Sequence, residues 1–149
     1  MRDYKKIDAW KLADDLTVAV YGTTRAFPRD ELYGLTSQLR RAASSVPANI
    51  AEGSARESQR DYLHFLYIAR GSLTECQYFI HLAHRLGYVR NEDAAPLFEQ
   101  VQHSFRCLHG LIKAVEKEAG KFNRGVAAVT SFVAICAARF MMESSTGIS

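Results

Sequence analysis

Apolar residues in this chain return at intervals of three and four positions, with no stretch of strict alternation, so the pattern predicts helices and no sheet. The plainest case is the run from Leu32 to Gly53. At about 100° per residue, Leu35, Leu39, Ala42, Ala43, Val46, Ile50 and Gly53 share one arc, a buried stripe edged with small side chains that lets a neighbouring backbone come close. Pro47 removes a backbone donor and is expected to bend this helix about a turn upstream. Before it, Asp8 is read as the cap of a helix carrying Trp10, Ala13, Thr17, Val20, Thr24 and Phe27, stopped at Phe27-Pro28, with Asp30 as the cap of the next helix. After it, residues 54–57 form a turn and Ser58 with Asp61 opens a third helix, which runs to about Leu86 and ends at Gly87. Asn91 is read as the cap of a fourth, with Ala94, Leu97, Val101, Phe105, Leu108, Ile112 and Val115 on its stripe and Gly120 at its end. Four amphipathic helices on short loops predict an all-α fold, an antiparallel up-down-up-down four-helix bundle over residues 1–120, and leave residues 121–149 as an apolar tail.

The third helix is apolar on two sides. Tyr62, Phe65, Leu66, Ala69, Leu73, Cys76, Phe79, Ile80 and Ala83 form its core stripe, while Tyr67, Gly71, Tyr78 and Leu82 line the other side. The second stripe either rests on flanking helices and water or seats another copy of the chain; an aromatic stripe containing glycine suits helix packing, which points to self-association.

Composition narrows the class. With 149 residues, 48% hydrophobic and 23% charged, the chain fits one ordered domain, and a net charge of +3 permits a nucleic-acid partner without requiring one. Three cysteines, an odd number, argue against a disulfide framework and fit a cytoplasmic protein. The opening Met1-Arg2-Asp3-Tyr4-Lys5-Lys6 is charged, with no apolar run of a secretory signal behind it. Residues 126–142 are almost wholly apolar but contain Arg139, so a fifth helix packed on the bundle or on a neighbouring subunit is expected rather than a membrane anchor.

Little in the chain offers catalysis. His81 and His84 have a spacing compatible with two metal ligands, but no further ligand motif accompanies them, and polar surface residues are the simpler reading. Cys76 lies on a core stripe and Cys107 has no neighbouring base, so both read as structural thiols. Asn49, Glu52 and Glu75 suit helix-to-helix or intersubunit hydrogen bonding better than acid–base work. No catalytic residue, metal or cofactor is therefore assigned. Arg40, Arg41, Arg56 and Arg60 are the candidate nucleic-acid contacts, set against the plainer reading of a solvated face paired with Glu52, Glu57 and Asp61.

Three stretches together carry a resemblance: Tyr33-Gly34-Leu35-Thr36-Ser37-Gln38-Leu39-Arg40-Arg41-Ala42-Ala43, then Val46-Pro47-Ala48-Asn49-Ile50-Ala51-Glu52-Gly53, then Phe65-Leu66-Tyr67-Ile68-Ala69-Arg70-Gly71-Ser72-Leu73. With Trp10 and Leu86-Gly87-Tyr88, they resemble the four-helix-bundle proteins encoded in intervening sequences of large-subunit ribosomal RNA genes, also labelled S23 ribosomal proteins, over roughly residues 4 to 118. The resemblance implies a cytosolic bundle assembled as a ring-shaped homopentamer, with no established catalytic activity, in which Tyr33, Gly34, Pro47, Asn49, Glu52 and Gly53 are structural motif positions. That family is in turn similar to the accessory proteins of diversity-generating retroelements, whose basic pentamers bind nucleic acid and partner a reverse transcriptase. RNA, DNA or a protein partner follow as expectations of the resemblance. The weak net charge of this chain departs from that picture.

Overall fold

The computed structural model describes the backbone of residues 2–145 and the side chains of residues 2–120. Four helices follow one another: α1 (Asp8–Thr23), α2 (Leu35–Ser54), α3 (Gln59–Arg85) and α4 (Asn91–Ser145), with single 3-10 turns at Tyr4–Lys6, Thr24–Ala26 and Arg29–Glu31. The chain divides into two compact units, Met1–Ala114 and Val115–Ser149, and the bundle lies in the first. The fold is all-α, a four-helix bundle whose packing agrees with the up-down-up-down order.

Specific contacts give the directions. Thr17 meets Ala43 and Thr24 meets Arg40, so α2 descends as α1 climbs. Ser45 meets Ser72, and Arg41 reaches Glu75, so α3 reverses α2. The start of α4 lies against the end of α3, where the His84 and Phe98 rings stand 6.4 Å apart, and Asp8 at the start of α1 acts electrostatically on Cys107 of α4. Inside, Leu16, Val20, Leu39, Val46, Ile50, Leu66, Leu73, Ile80, Val101, Leu108 and Ile112 are almost completely buried. Each such side chain contributes about 1.5–3 kcal/mol of transfer free energy. Every member of the α2 arc predicted from the sequence is buried.

Small residues set how closely α2 and α3 approach. A Cβ placed on Gly53 would stand 2.8 Å from Phe65 Cβ and 3.0 Å from Tyr62 Cδ2. Pro47 lies inside α2 and cannot donate to the carbonyl of Ala43, one turn back. That carbonyl is not orphaned. Thr17 Oγ1 of α1 lies 3.0 Å from Ala43 O and 2.8 Å from Ala13 O, so one hydroxyl proton is shared between its own helix and the gap Pro47 leaves in the next. Beside it, Ser45 Oγ and Ser72 Oγ are 3.0 Å apart, and Asn49 Nδ2 donates to Ser45 O at 2.7 Å.

Two helix ends follow the sequence reading closely. Ser58 caps α3, its hydroxyl accepting from the Asp61 N–H at 3.0 Å. Gly87, at φ +76°, turns the chain left-handed after α3, with Gly87 N–H donating to His84 O at 3.0 Å and Tyr88 N–H to Ala83 O at 2.9 Å.

Four expected ends differ. Asp8 is not the cap of α1, because Ile7 holds that position; the Asp8 carboxylate sits in the first turn and accepts from Lys11 Nζ at 2.9 Å, which lowers its pKa. Asp30 does not cap α2. The 3-10 turn Arg29–Glu31 passes the role to Glu31, whose longer side chain accepts the Leu35 N–H at 2.8 Å. Gly34 makes this possible, since a Cβ there would fall 2.5 Å from Glu31 Oε2. Asn91 is a helix residue whose Oδ1 lies 2.6 Å from His84 Nε2, and the carbonyl that receives the first N–H groups of α4 belongs to Arg90. Gly120 does not end α4; a glycine inside a helix costs about 1 kcal/mol and is no stop by itself. The side chains of the 121–149 tail, including Arg139, lie outside the described residues.

Candidate interaction surfaces

With its inner face sealed in the bundle, α3 still presents a run of apolar side chains outward. Tyr67 and Ile68 are each 39% exposed and Tyr78 is 56% exposed, figures well above those of the core stripe on the opposite side of the helix. Gly71 lies open between them, with nothing within 4 Å of where a Cβ would be, and Leu82 is half-buried at the end of the row. Tyr67 carries the guanidinium of Arg70 over its ring at 4.9 Å, and Tyr78 leans on Phe79 at 5.5 Å. Thr74 and Glu75 interrupt the row between Gly71 and Tyr78, with Glu75 paired to Arg41; an apolar row carrying a paired charge suits a protein interface. Ile68 was not among the residues picked from the sequence, although its place one residue after Tyr67, beside the stripe, was a sufficient signal. On α1, Val18 and Tyr21 are also exposed, and Tyr33 stands 91% exposed ahead of α2.

The four candidate arginines do not come together. About 16 residues of mostly helical chain separate Arg40 from Arg56, which at 1.5 Å per residue is roughly 24 Å along the α2 axis. Arg40 is half-buried, donates from Nε to Thr24 Oγ1 at 2.8 Å and lies over the Tyr21 ring at 4.9 Å. Arg41 is exposed, donates to Gln38 Oε1 at 2.8 Å and stands 3.8 Å from the Glu75 carboxylate across on α3. Arg56 pairs with Glu52 and lies over the Phe65 ring at 4.7 Å. Arg60 is exposed on the first turn of α3. Of the carboxylates the plainer sequence reading named, Glu52 pairs with Arg56, while Asp61 accepts from the Ser58 hydroxyl; the partner of Arg41 is Glu75, and Asn49 bonds within α2.

The thiols and imidazoles do not assemble a reactive centre among the described residues. Burial, and secondarily the Glu75 charge, pushes the Cys76 thiol up to about 12, far from the thiolate a nucleophile needs. The Cys107 thiol is raised as well, by desolvation and then by Asp8. His81 is exposed, while His84 is tied to Asn91 and packed on Phe98. No group of three His, Cys, Asp or Glu side chains among the described residues is placed to hold a metal ion. Nor is any described helix long and apolar enough to cross a membrane; residues 126–142 lie outside that statement.

Comparison with known proteins bears on the fold and the family. A family model described as the 23S rRNA-intervening sequence protein matches residues 5–110. The solved structure of a protein of unknown function from the S23 ribosomal protein family of Bacteroides thetaiotaomicron is 21% identical, covers 70% of this chain and 95% of its own, and superposes with a TM-score of 0.65. At that identity the likeness shows the fold alone. No curated protein matches the chain.

Proposed function

This chain belongs to the 23S rRNA-intervening sequence protein family, and from that premise we propose that it is a non-enzymatic scaffold which assembles with copies of itself through the outer face of α3. The observation that carries this reading is the exposure of Tyr67, Ile68 and Tyr78 on a helix whose other face already fills the core. Leaving three such side chains in water forgoes a stabilisation of roughly 25 cal/mol for each Å² that a partner would cover. Gly71 lets a second helix approach the stripe without steric hindrance. The resemblance to ring-forming relatives sets the expected number at five, in the cytoplasm, with residues 1–120 as the assembling bundle and residues 121–149 as its apolar extension.

Within that scaffold, nucleic acid is the expected cargo, by the likeness to retroelement accessory proteins, and Arg41 and Arg60 are the most available of the four arginines. Repetition round a ring would multiply a weak phosphate contact. A second reading, a purely structural module for a protein partner, is favoured by the contacts that already hold Arg40 and Arg56 in place. Light scattering tests the assembly: the wild type should run near five times the 16.7 kDa chain mass, and a monomer at micromolar concentration would refute it. Titration of structured RNA and duplex DNA at low salt, with Arg41→Ala and Arg60→Ala beside the wild type, separates the two readings. Binding that each substitution weakens, with a smaller salt slope, supports the first; no binding by an intact oligomer supports the second.

A further inference from the structure

The corner where α1 passes into α2 holds an open groove of about 300 Å³, which the self-assembly reading does not use. Its apolar lining is Phe27, Pro28 and Leu32, and its charged lining is Arg25, Arg29 and Arg40. We propose that this groove is a docking site for a short acidic peptide segment of a partner protein, one in which carboxylates alternate with aliphatic side chains.

Three features commit the groove to that occupant. The first is unpaired charge: among the described residues, none of the three guanidinium groups has a carboxylate within 4.0 Å, whereas Arg41, Arg56 and Arg90 elsewhere all do. Of the two carboxylates in the same loop, Glu31 is occupied by the Leu35 N–H and by the Tyr88 hydroxyl at 3.4 Å, and exposed Asp30, which follows Arg29, acts on Tyr88 and forms no ion pair with the three guanidinium groups. The second is preorganisation. Arg40 is held by Thr24 Oγ1 at 2.8 Å and by the Tyr21 ring, so its terminal nitrogens are aimed at little entropic cost, and a guanidinium fork suits a carboxylate. Phe27 is likewise fixed, its ring 5.7 Å from that of Tyr88. The third is the nature of the floor. Phe27 is only 8% exposed, so no open ring face is offered to a nucleic-acid base, while Pro28 and Leu32 suit an aliphatic side chain. Charge complementarity with an apolar anchor thus selects a peptide over a polynucleotide.

Fluorescence anisotropy on the full chain tests this with three labelled probes: a decapeptide alternating aspartate and leucine, its counterpart alternating asparagine and leucine, and an oligodeoxythymidine. The acidic peptide should bind with a Kd on the order of tens of micromolar at low salt. The asparagine peptide should bind at least tenfold more weakly, and tenfold more salt should weaken the acidic peptide severalfold. Arg29→Gln, an exposed position, should cost about fivefold, and Arg40→Lys should cost as much although it keeps the charge, because the Thr24-oriented fork is lost. Circular dichroism and light scattering on the same samples show that fold and assembly are intact, so the groove stands or falls separately from the α3 interface. Four outcomes overturn the proposal: no binding of the acidic peptide, equal binding of the asparagine peptide, binding indifferent to Arg29→Gln in a folded protein, or oligodeoxythymidine displacing the peptide with higher affinity.

Discussion

Thr17→Val tests the idea that α1 repairs the hydrogen bond Pro47 removes from α2. The substitution keeps the shape of the side chain but leaves the Ala43 carbonyl, on a residue with no exposed surface, without its donor. A buried acceptor stranded in this way costs about 1–3 kcal/mol. The decisive measurement is a double-mutant cycle with Pro47→Ala, which restores an N–H four residues beyond Ala43 and closes the α-helical ladder. In that background Thr17→Val should cost less by about 1 kcal/mol or more, because the carbonyl now has a donor of its own. The bond from Thr17 to Ala13 is lost in both backgrounds and cancels. Urea unfolding at one fixed protein concentration gives the four free energies, with constant m-values confirming that the unfolded state is unchanged. Equal costs of Thr17→Val in the two backgrounds would refute the repair, and would mean that the Ala43 carbonyl is satisfied elsewhere.

The remaining predictions use the same structure. Gly53→Ala should destabilise the bundle by about 1–2 kcal/mol, since overpacking against Phe65 and Tyr62 outweighs the helix-propensity gain. Gly71→Ala, in open space, should be neutral or stabilising in a monomeric background by up to about 1 kcal/mol; thermal unfolding in which the two substitutions shift Tm in the same direction would contradict the packing described. Tyr78→Glu should dissociate the assembly, because an unpaired carboxylate in an interface costs several kcal/mol; light scattering showing Tyr67→Glu and Tyr78→Glu both fully assembled would exclude the outer face of α3. The raised Cys76 thiol binds its proton more tightly in the folded state, so stability is full below the ordinary value near 9 and falls as pH rises toward about 12. Cys76→Ala should remove part of that alkaline slope in urea titrations, and an unchanged slope would show that the thiol is not the group responsible.

What the sequence made legible was the chemistry that acts within one turn. Ser58 followed by Asp61, and Gly87 at the end of an apolar period, specify their helix ends through local hydrogen bonds and a local backbone conformation, and both are found as read. The buried arc of α2 was readable for the same reason, since its period belongs to one helix. Glu31 was missed because its capping role needs a 3-10 turn and a missing Cβ at Gly34, a three-dimensional coincidence that propensity does not encode. The arginines show the limit more sharply. Spacing put Arg40 on the polar side of α2, but its partner Thr24 sits on another element and is met only through the α1–α2 register. The groove beside Arg40 is a product of that register, and no motif in the linear chain announces it.

The contact between Ser45 and Ser72 has a consequence for uniqueness more than for strength. The small-residue edge of α2 repeats nearly every turn, so its apolar period alone does not distinguish the native setting from one slid by a turn, about 5.4 Å, along α3. At the native setting two hydroxyls face each other, with Asn49 locked onto the same turn; one step either way Ser45 would face Cys76 or Ile68 and Ser72 would face Asn49 or Arg41, so the hydroxyl pair is lost. The pair, together with the close approach at Gly53, works as a detent between the two helices. Replacing both serines by alanine should weaken that lock, and the damage should appear as a plurality of helix settings more than as unfolding. Were the chain to assemble with copies of itself as proposed, a plurality of that kind would be copied into every subunit contact.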